Sequence, residues 1–242
     1  MLLRGEFIQT PAPVPSIPVL CYHNIYQEEG KKDNAYFISK DKFHAQMKAL
    51  ADSGYHTILP DQLIACLTKG ALLPAKPVLL TFDDTRLTHF TIAAGIIEQF
   101  GFRGTFFIMT IAIGKPGYMN AAQLKLLADR GHVIGAHTWD HPYLSQNGKK
   151  DWQKQIWQPK AALEKITSKQ VGYFAYPFGQ WNEELISELE AAGYKAAFQL
   201  NGKVSAKKPL YTIRRIMADG NWSGTRLQAV LKTAFAADTN KR

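Results

Sequence analysis

Two adjacent carboxylates at the end of an apolar run could carry out hydrolytic chemistry. The run at 78–82 (VLLTF) has the length of a buried strand, and Asp83 and Asp84 follow it at once. Buried parallel strands are nearly continuous apolar runs, and α/β proteins place their chemistry at the carboxyl ends of such strands. Because neighbouring side chains of an extended segment diverge, one acid could bind a cation while the other faces a substrate. An Asp-rich turn without a function is an even alternative.

Two histidines follow a second apolar run. Residues 132–136 form a short strand-like segment, and His137 comes directly after it, with His141 four residues further on. On a helical turn this spacing puts both rings on one face, close enough to share a metal ion. A carboxylate from elsewhere would complete a His/His/Asp group with open positions for water, which is typical of catalytic metal sites. A surface or core histidine pair is the alternative, but the two strand ends together favour the metal site.

These two segments resemble the first two motifs of a known family. The segments at 81–84 (TFDD) and 137–141 (HTWDH) are similar to those of the polysaccharide deacetylases, carbohydrate esterase family four, and the likeness runs from about Pro18 to Ile216. Within the family, the segments at 18–23 (PVLCYH) and 174–179 (FAYPFG) look most like the branch that de-N-acetylates poly-β-1,6-N-acetylglucosamine of biofilm matrices.

The resemblance implies a role for each matching residue. Asp84, His137 and His141 would hold one divalent metal ion, which we expect to be zinc, with cobalt, nickel or manganese as alternatives. Asp83 would be the general base that accepts a proton from the attacking water. A second metal ligand or a strand-end cap is the alternative for Asp83. The implied reaction is the removal of N-acetyl groups from N-acetylglucosamine units of a polysaccharide.

A Pro-aromatic-Gly turn forms the third segment, after a strand candidate at 172–176. In the family the amide of the aromatic residue stabilises the oxyanion, and here the matching group is the N–H of Phe178. Aromatic rings on this turn could also form the wall of a sugar pocket, so we expect Tyr176, Pro177 and Phe178 to contact substrate. An ordinary turn packed on the core is the alternative.

Three departures from the family pattern affect these assignments. Thr85 stands where glycine usually follows the two acids, and Ala175 stands where an arginine usually orients the base. No histidine of the usual last motif is evident at 213–219 (IRRIMAD). His23, at the end of the first strand candidate, is the best substitute as proton donor to the leaving amine, although a histidine bonded to a carbonyl is an equal alternative. Arg215 could instead hold a carboxylate.

Length and composition favour a single domain. The chain has 242 residues, 46% of them hydrophobic, which suits a single α/β barrel domain. We expect a Pro-rich extended lead at 1–17 and a catalytic domain at 18–242. No apolar run approaches the roughly 20 residues of a transmembrane helix. A chain beginning this way is expected to be a mature or trimmed form of an exported protein, with a cytoplasmic location as the alternative. Cys21 and Cys66 lack metal spacing and are expected to be free thiols, with a disulfide left open.

The net charge of +9 implies attraction to anionic surfaces or polymers. Nucleic acid is the obvious alternative partner, but the chain has no aromatic-basic motif or zinc-finger spacing, and its lysines are scattered. We therefore expect an N-acetylglucosamine polysaccharide as partner and no nucleic acid. Rival functions are a peptidoglycan or chitin deacetylase and a catalytically weak sugar-binding barrel. The sequence does not determine the oligomeric state.

Strand and helix candidates alternate along the chain, which argues for parallel strands joined by helical crossovers. The predicted strands are 19–23, 55–59, 78–82, 104–109, 132–136, 172–176, 194–199 and 210–216, and the predicted helices are 41–53, 61–67, 89–100, 120–130, 151–167, 182–192 and 223–236. Seven or eight such units suit a closed or nearly closed barrel. The resemblance sharpens this expectation to a distorted, incomplete (β/α) barrel with the metal at its carboxyl-end face.

Overall fold

Short parallel strands form a curled sheet. The computed structural model describes residues 17–27, 31–146 and 150–236, so the predicted lead lies outside the described residues except for Ile17. The strands are β1 (Val19–Tyr22), β2 (Asn24–Tyr26), β3 (Phe37–Ser39), β4 (His56–Thr57), β5 (Pro77–Phe82), β6 (Gly104–Ile108), β7 (Val133–Ala136), β8 (Tyr173–Ala175), β9 (Ala196–Phe198) and β10 (Ile216–Met217). Their order is β10-β1-β5-β6-β7-β8-β9, with β4 also on β5, and β2 and β3 pair separately. All these pairs are parallel, the arrangement predicted for the strands of the large sheet.

Helices connect most consecutive strands of the large sheet. They are α1 (Lys40–Asp52), α2 (Pro60–Lys69), α3 (Gly95–Gln99), α4 (Ala121–Asp129), α5 (Gln158–Thr167), α6 (Glu183–Ala191) and α7 (Gly224–Ala236). π-helical turns at His89–Ala94 and Gln153–Trp157 run directly into α3 and α5. Asn120 and Asn182 cap α4 and α6 as predicted, because each side chain accepts a hydrogen bond from an amide of the first turn. No helix in the described part of the chain is long and apolar enough to cross a membrane.

Alternation along the strands divides the core into two clusters. The first contains Leu20, Leu80, Phe106 and Phe174, and the second contains Val19, Leu79, Phe107 and Tyr173. Residues of α1 and α3–α7 join the first cluster, whereas Leu63 of α2 joins the second. Because strand side chains alternate between faces, Asp83 and His137 continue the face of the second cluster beyond the strand ends. The sheet therefore carries these two side chains on its concave side.

One segment joins the two edges of the curled sheet, where a single strand was predicted at 210–216. Pro209–Thr212 is a 3₁₀ helix instead. Ile213 then exchanges backbone hydrogen bonds with Ala197 and Gln199 next to β9, and β10 pairs with β1. The prediction of one strand was wrong because Pro209 favours a helical turn at that end. The fold is the incomplete (β/α) barrel expected from the sequence.

Candidate active site

The two acids after β5 are separated by a left-handed turn. Asp84 and Thr85 have φ angles of 77° and 61°, so the extended backbone that the sequence argument assumed ends before Asp84. The Thr85 hydroxyl accepts a hydrogen bond from the amide of Met109 at 2.8 Å, which ties this turn to the end of β6. Thr85 thus occupies a conformation that usually favours glycine, in the position where the family usually has one. After this turn Oδ1 of Asp84 lies 3.6 Å from Nε2 of His137, and Oδ2 of Asp83 lies 4.0 Å from the same atom.

The histidine segment is a loop, and the predicted helical turn was wrong. β7 ends at Ala136, and Thr138 and His141 both have positive φ angles. The Thr138 hydroxyl accepts a hydrogen bond from the His141 amide at 2.9 Å and closes the loop. The buried Gln155 supports it from the side, because its side chain accepts from the Trp139 amide and donates to Asp140. The loop still brings the rings of His137 and His141 to a centroid distance of 4.8 Å.

Left-handed residues other than glycine concentrate at this end of the sheet. Seven are found among the described residues, and five of them lie in the three predicted motifs or directly after one. Those five are Asp84, Thr85, Thr138, His141 and Phe178. Such conformations are costly for residues with a Cβ atom and persist where the surroundings impose them, which is common at functional sites.

Asp84, His137 and His141 form a group that fits a metal ion. The Nε2 atoms of His137 and His141 lie 3.6 Å and 3.7 Å from Oδ1 of Asp84. Two ligands of a tetrahedral zinc ion lie roughly 3.3 Å apart, so small movements would suffice. Oδ1 of Asp84 is buried without a hydrogen-bond partner among the described residues. His137 Nδ1 lies 2.7 Å from the carbonyl of Ala175, a contact that leaves its Nε2 lone pair for a metal.

A glycine lets the barrel wall approach His137 closely. A Cβ atom on Gly135, in β7, would lie 2.5 Å from the ring of Phe107 and 3.0 Å from the carbonyl of Tyr173. A Cβ contact of 2.5 Å essentially never occurs in real proteins, so a side chain here would push β7 away from its neighbours. The carbonyl of Ala175, in β8, would then move away from Nδ1 of His137.

Asp83 is held by Arg215 rather than by a residue at position 175. The guanidinium donates two hydrogen bonds to the carboxylate, at 2.7 Å and 2.8 Å, and both side chains are buried. Arg215 also donates to the hydroxyl of Thr81, which fixes its orientation. Ala175 stands where the family usually has the arginine that orients the base. In this protein Arg215 supplies that contact from the segment before β10.

The charges of the site determine which of its groups stay ionised. Burial alone would raise the pKa of Asp83, but Arg215, followed by His137, outweighs burial and holds that pKa well below its usual range. Burial would also raise the pKa of Asp84, but the neighbouring His137 outweighs burial, and the pKa of Asp84 falls to about 2. Burial would lower the pKa of His137, and the two carboxylates raise it instead. Both acids are therefore ionised at neutral pH.

His23 lies beside Asp83, although the two residues are far apart in the sequence. Its Nε2 atom is 4.0 Å from Oδ2 of Asp83, and its side chain retains 13% exposure. The buried His89 holds the backbone of His23 through a hydrogen bond to its carbonyl. Burial lowers the pKa of His23, and the two carboxylates oppose that shift only in part. Cys21 is a buried free thiol that donates to Oδ2 of Asp83 at 3.5 Å, and Cys66 is also free.

The aromatic turn after β8 presents one residue to the surface. Phe178 has φ 59° inside the 3₁₀ turn Pro177–Gly179, and its ring packs edge-on against His141 at 4.5 Å. The two hydrogen bonds of the turn are donated by Gly179 and Gln180, so neither uses the Phe178 N–H. Tyr176 and Pro177 are buried, and the Tyr176 hydroxyl donates to the carbonyl of Tyr211. The expectation that these two side chains contact substrate does not fit their burial, because they support the turn from inside.

The barrel and the site at its carboxyl end define a class of (β/α) proteins able to hold a metal ion next to a separate, arginine-bound carboxylate. The sequence model of the polysaccharide deacetylase family matches residues 71–197. The chain therefore belongs to the polysaccharide deacetylase family, and it is an enzyme of the amide-hydrolysing deacetylase type.

Individual relatives agree with this assignment. The Bacillus subtilis (strain 168) protein YxkH, assigned to the polysaccharide deacetylases, is 28% identical over 95% of this chain and 80% of its own. A poly-β-1,6-N-acetyl-D-glucosamine N-deacetylase of Staphylococcus aureus (strain MRSA252) is 26% identical over 77% of this chain and 69% of its own.

Two solved structures are similar in fold. The Streptococcus pyogenes deacetylase PplD in complex with acetate superimposes with a TM-score of 0.81 at 25% identity, over 89% of this chain and 97% of that one. IcaB from Ammonifex degensii superimposes with a TM-score of 0.74 at 24% identity, over 90% and 98% of the two chains. These superpositions agree with the incomplete (β/α) barrel predicted from the sequence.

Proposed function

We propose that the protein removes N-acetyl groups from poly-β-1,6-N-acetylglucosamine in a metal-dependent reaction. The observation that carries this proposal is the convergence of Asp84, His137 and His141 beside the separately held Asp83. The β-1,6 linkage is supported by the relative from Staphylococcus aureus, which is named for that polymer. The acetate in the Streptococcus pyogenes structure supports the reaction type, because acetate is the product of deacetylation.

The site residues divide the work of amide hydrolysis. Asp84, His137 and His141 would hold the divalent metal, which we expect to be zinc. When bound, such an ion polarises a carbonyl oxygen and lowers the pKa of water. Asp83 accepts the proton of the attacking water, since Arg215 keeps it ionised and in place. The N–H of Phe178 donates to the oxyanion that develops on the acetyl carbonyl oxygen when water attacks.

His23 is the residue we assign to protonate the leaving amine. The His23→Gln variant is expected to lose about 10²–10⁴-fold of its turnover on an N-acetyl amide, the usual range for general acid catalysis. Its loss on 4-nitrophenyl acetate should be much smaller, because nitrophenolate departs without a proton. Acetate release and nitrophenolate absorbance, measured on the same preparation, give the two rates. Equal losses on amide and ester would contradict the assignment.

Acetate release from defined oligomers tests the substrate. We expect turnover of β-1,6-linked N-acetylglucosamine oligomers at a kcat/KM at least about tenfold above that of β-1,4-linked oligomers of equal length, a difference of about 1.4 kcal/mol in transition-state binding. The assay uses protein loaded with zinc, cobalt, nickel or manganese in turn. A preference for β-1,4 oligomers would point to a peptidoglycan or chitin substrate. No release from any oligomer would leave a sugar-binding barrel.

The proposed substrate implies an exported enzyme. A polysaccharide of the cell surface meets an enzyme only outside the cytoplasm, so we propose that the protein acts there. Cell fractionation with an antibody against the chain tests this, and recovery in the cytoplasmic fraction alone would refute it.

A further inference from the structure

Exposed aromatic rings gather around the candidate site. Five aromatic residues of the described chain have exposed side chains, and three of them touch a site histidine directly or through one other ring. These three are Tyr36, Tyr143 and Phe178, and the other two are Phe37, next to Tyr36, and Trp157. Single exposed apolar residues are normal on protein surfaces, but a group of them beside a site marks a binding surface.

Tyr143 extends the wall of the site outward by one ring. Its ring lies parallel to that of Phe178, with centroids 3.7 Å apart and an interplanar angle of 6°. Phe178 in turn packs against His141. One face of Tyr143 is therefore covered, yet the residue remains 46% exposed, so the other face is open. The stack fixes the ring in advance, and a fixed ring loses little conformational entropy when a ligand binds.

Tyr36 is also fixed, in its case by hydrogen bonds to its backbone. Its carbonyl accepts hydrogen bonds from the backbone and the side chain of Asn24, and its amide donates to the side chain of Asn34. The ring meets the ring of His23 edge-on at 5.6 Å and is 57% exposed. The polar contacts hold the backbone, so the aromatic ring itself is the exposed part of a rigid turn.

The two rings lie on opposite sides of the acids in the order of strands. Tyr36 contacts His23, the residue after β1, and Tyr143 stacks directly on Phe178, in the turn that follows β8. β5, which carries the acids, lies between β1 and β8 in the sheet. A ligand that touched both rings would pass over the acids.

We propose that Tyr143 and Tyr36 bind the sugar rings that flank the N-acetylglucosamine undergoing deacetylation. This inference rests on the proposed function. In a β-linked N-acetylglucosamine the ring substituents are equatorial, so each ring face presents C–H groups that stack on an aromatic ring. The substrate is thus an internal unit of a glycan chain of at least three sugars, and a single sugar lacks both contacts.

The test compares a long substrate with one that needs only the acids and the metal. The ratio of kcat/KM for a β-1,6-linked N-acetylglucosamine pentamer to that for 4-nitrophenyl acetate is expected to fall about tenfold, or about 1.4 kcal/mol, in Tyr143→Ala and in Tyr36→Ala. The fall should come mainly from KM for the pentamer. Tyr143→Phe keeps the ring and should restore the ratio, and Trp157→Ala, which removes an exposed ring that stacks on neither a site histidine nor Phe178, should not change it.

An unchanged ratio in both alanine variants would overturn the inference, and so would equal losses on the pentamer and the ester. If the wild-type protein releases no acetate from the pentamer, the proposed function fails instead. Isothermal titration of the pentamer then decides the inference alone. Weaker binding by Tyr143→Ala than by Trp157→Ala supports the inference, and equal binding refutes it.

Discussion

His137→Ala and His141→Ala are each expected to lose most of their bound metal together with their deacetylase activity. Loss of a residue that only supports a metal ligand typically weakens metal binding about 10–100-fold. Loss of one of the three ligands themselves should weaken it by more. The loss should be larger for His137, because its ring is buried and fixed by Ala175, whereas His141 lies on a loop with a 24% exposed side chain. Metal analysis of the purified variants, next to acetate release, measures both effects.

A third histidine gives a matched control for this experiment. His44 is exposed on α1 and far from the three motifs in the chain, so His44→Ala should keep both metal and activity. Full metal retention in both His137→Ala and His141→Ala would reject the proposed ligand set. Loss of metal in His44→Ala as well would show that the analysis detects metal bound outside the site.

The strand ends could be predicted from sequence because apolar runs and polar stops are local features. The runs before Asp83 and His137 have strand composition, and parallel strands bring their carboxyl ends to one edge. The left-handed turns at Asp84 and Thr138 could not be predicted, since neither residue is a glycine that would signal one. The rings of His137 and His141 nevertheless lie 4.8 Å apart, because the loop brings them together as the predicted helical turn would have done.

Long-range partners were the part that the sequence left open. The sequence marked Arg215 as a residue that could hold a carboxylate, but only the pairing of β10 with β1 brings it to Asp83, 132 residues away. β2 and β3 were not predicted because three-residue strands are too short for a clear apolar alternation. The burial of Tyr176 likewise depends on β9, whose Phe198 carbonyl accepts its amide hydrogen bond. These contacts join distant segments and leave no local pattern.

The adjacent acids should fail in different ways when each is changed to asparagine. Asp84→Asn removes a charged ligand, so metal content and activity should both fall. Asp83→Asn keeps the shape of the side chain and should keep the metal, while turnover falls about 10²–10⁴-fold because no group accepts the proton of the water. Arg215→Lys keeps a positive charge but not the paired hydrogen bonds, and we expect an intermediate loss of about 10–100-fold.

Stability measurements separate a chemical loss from a folding loss in these variants. Asp83→Asn leaves the buried Arg215 without its counter-charge, and breaking a buried pair in this way costs about 3–5 kcal/mol. Because the pKa of Asp83 is lowered in the folded state, its contribution to stability is full above the pKa of an unfolded Asp, about 3.9, and is lost as the pH falls below it. The difference in unfolding free energy between wild type and Asp83→Asn should therefore shrink below about pH 4.

The decisive comparison is metal content beside acetate release for Asp83→Asn and Asp84→Asn, at a temperature where both remain folded. The proposed roles require that Asp83→Asn binds metal without turnover, because Arg215 and not the metal holds that carboxylate. If Asp83→Asn loses the metal while Asp84→Asn keeps it, the two roles are exchanged. If Asp83→Asn turns over at the wild-type rate, Asp83 is not the proton acceptor. The Asp83 carboxylate, whose pKa lies far below the usual range, would then serve only to pair with Arg215. That pair would hold the end of β5 against the segment before β10.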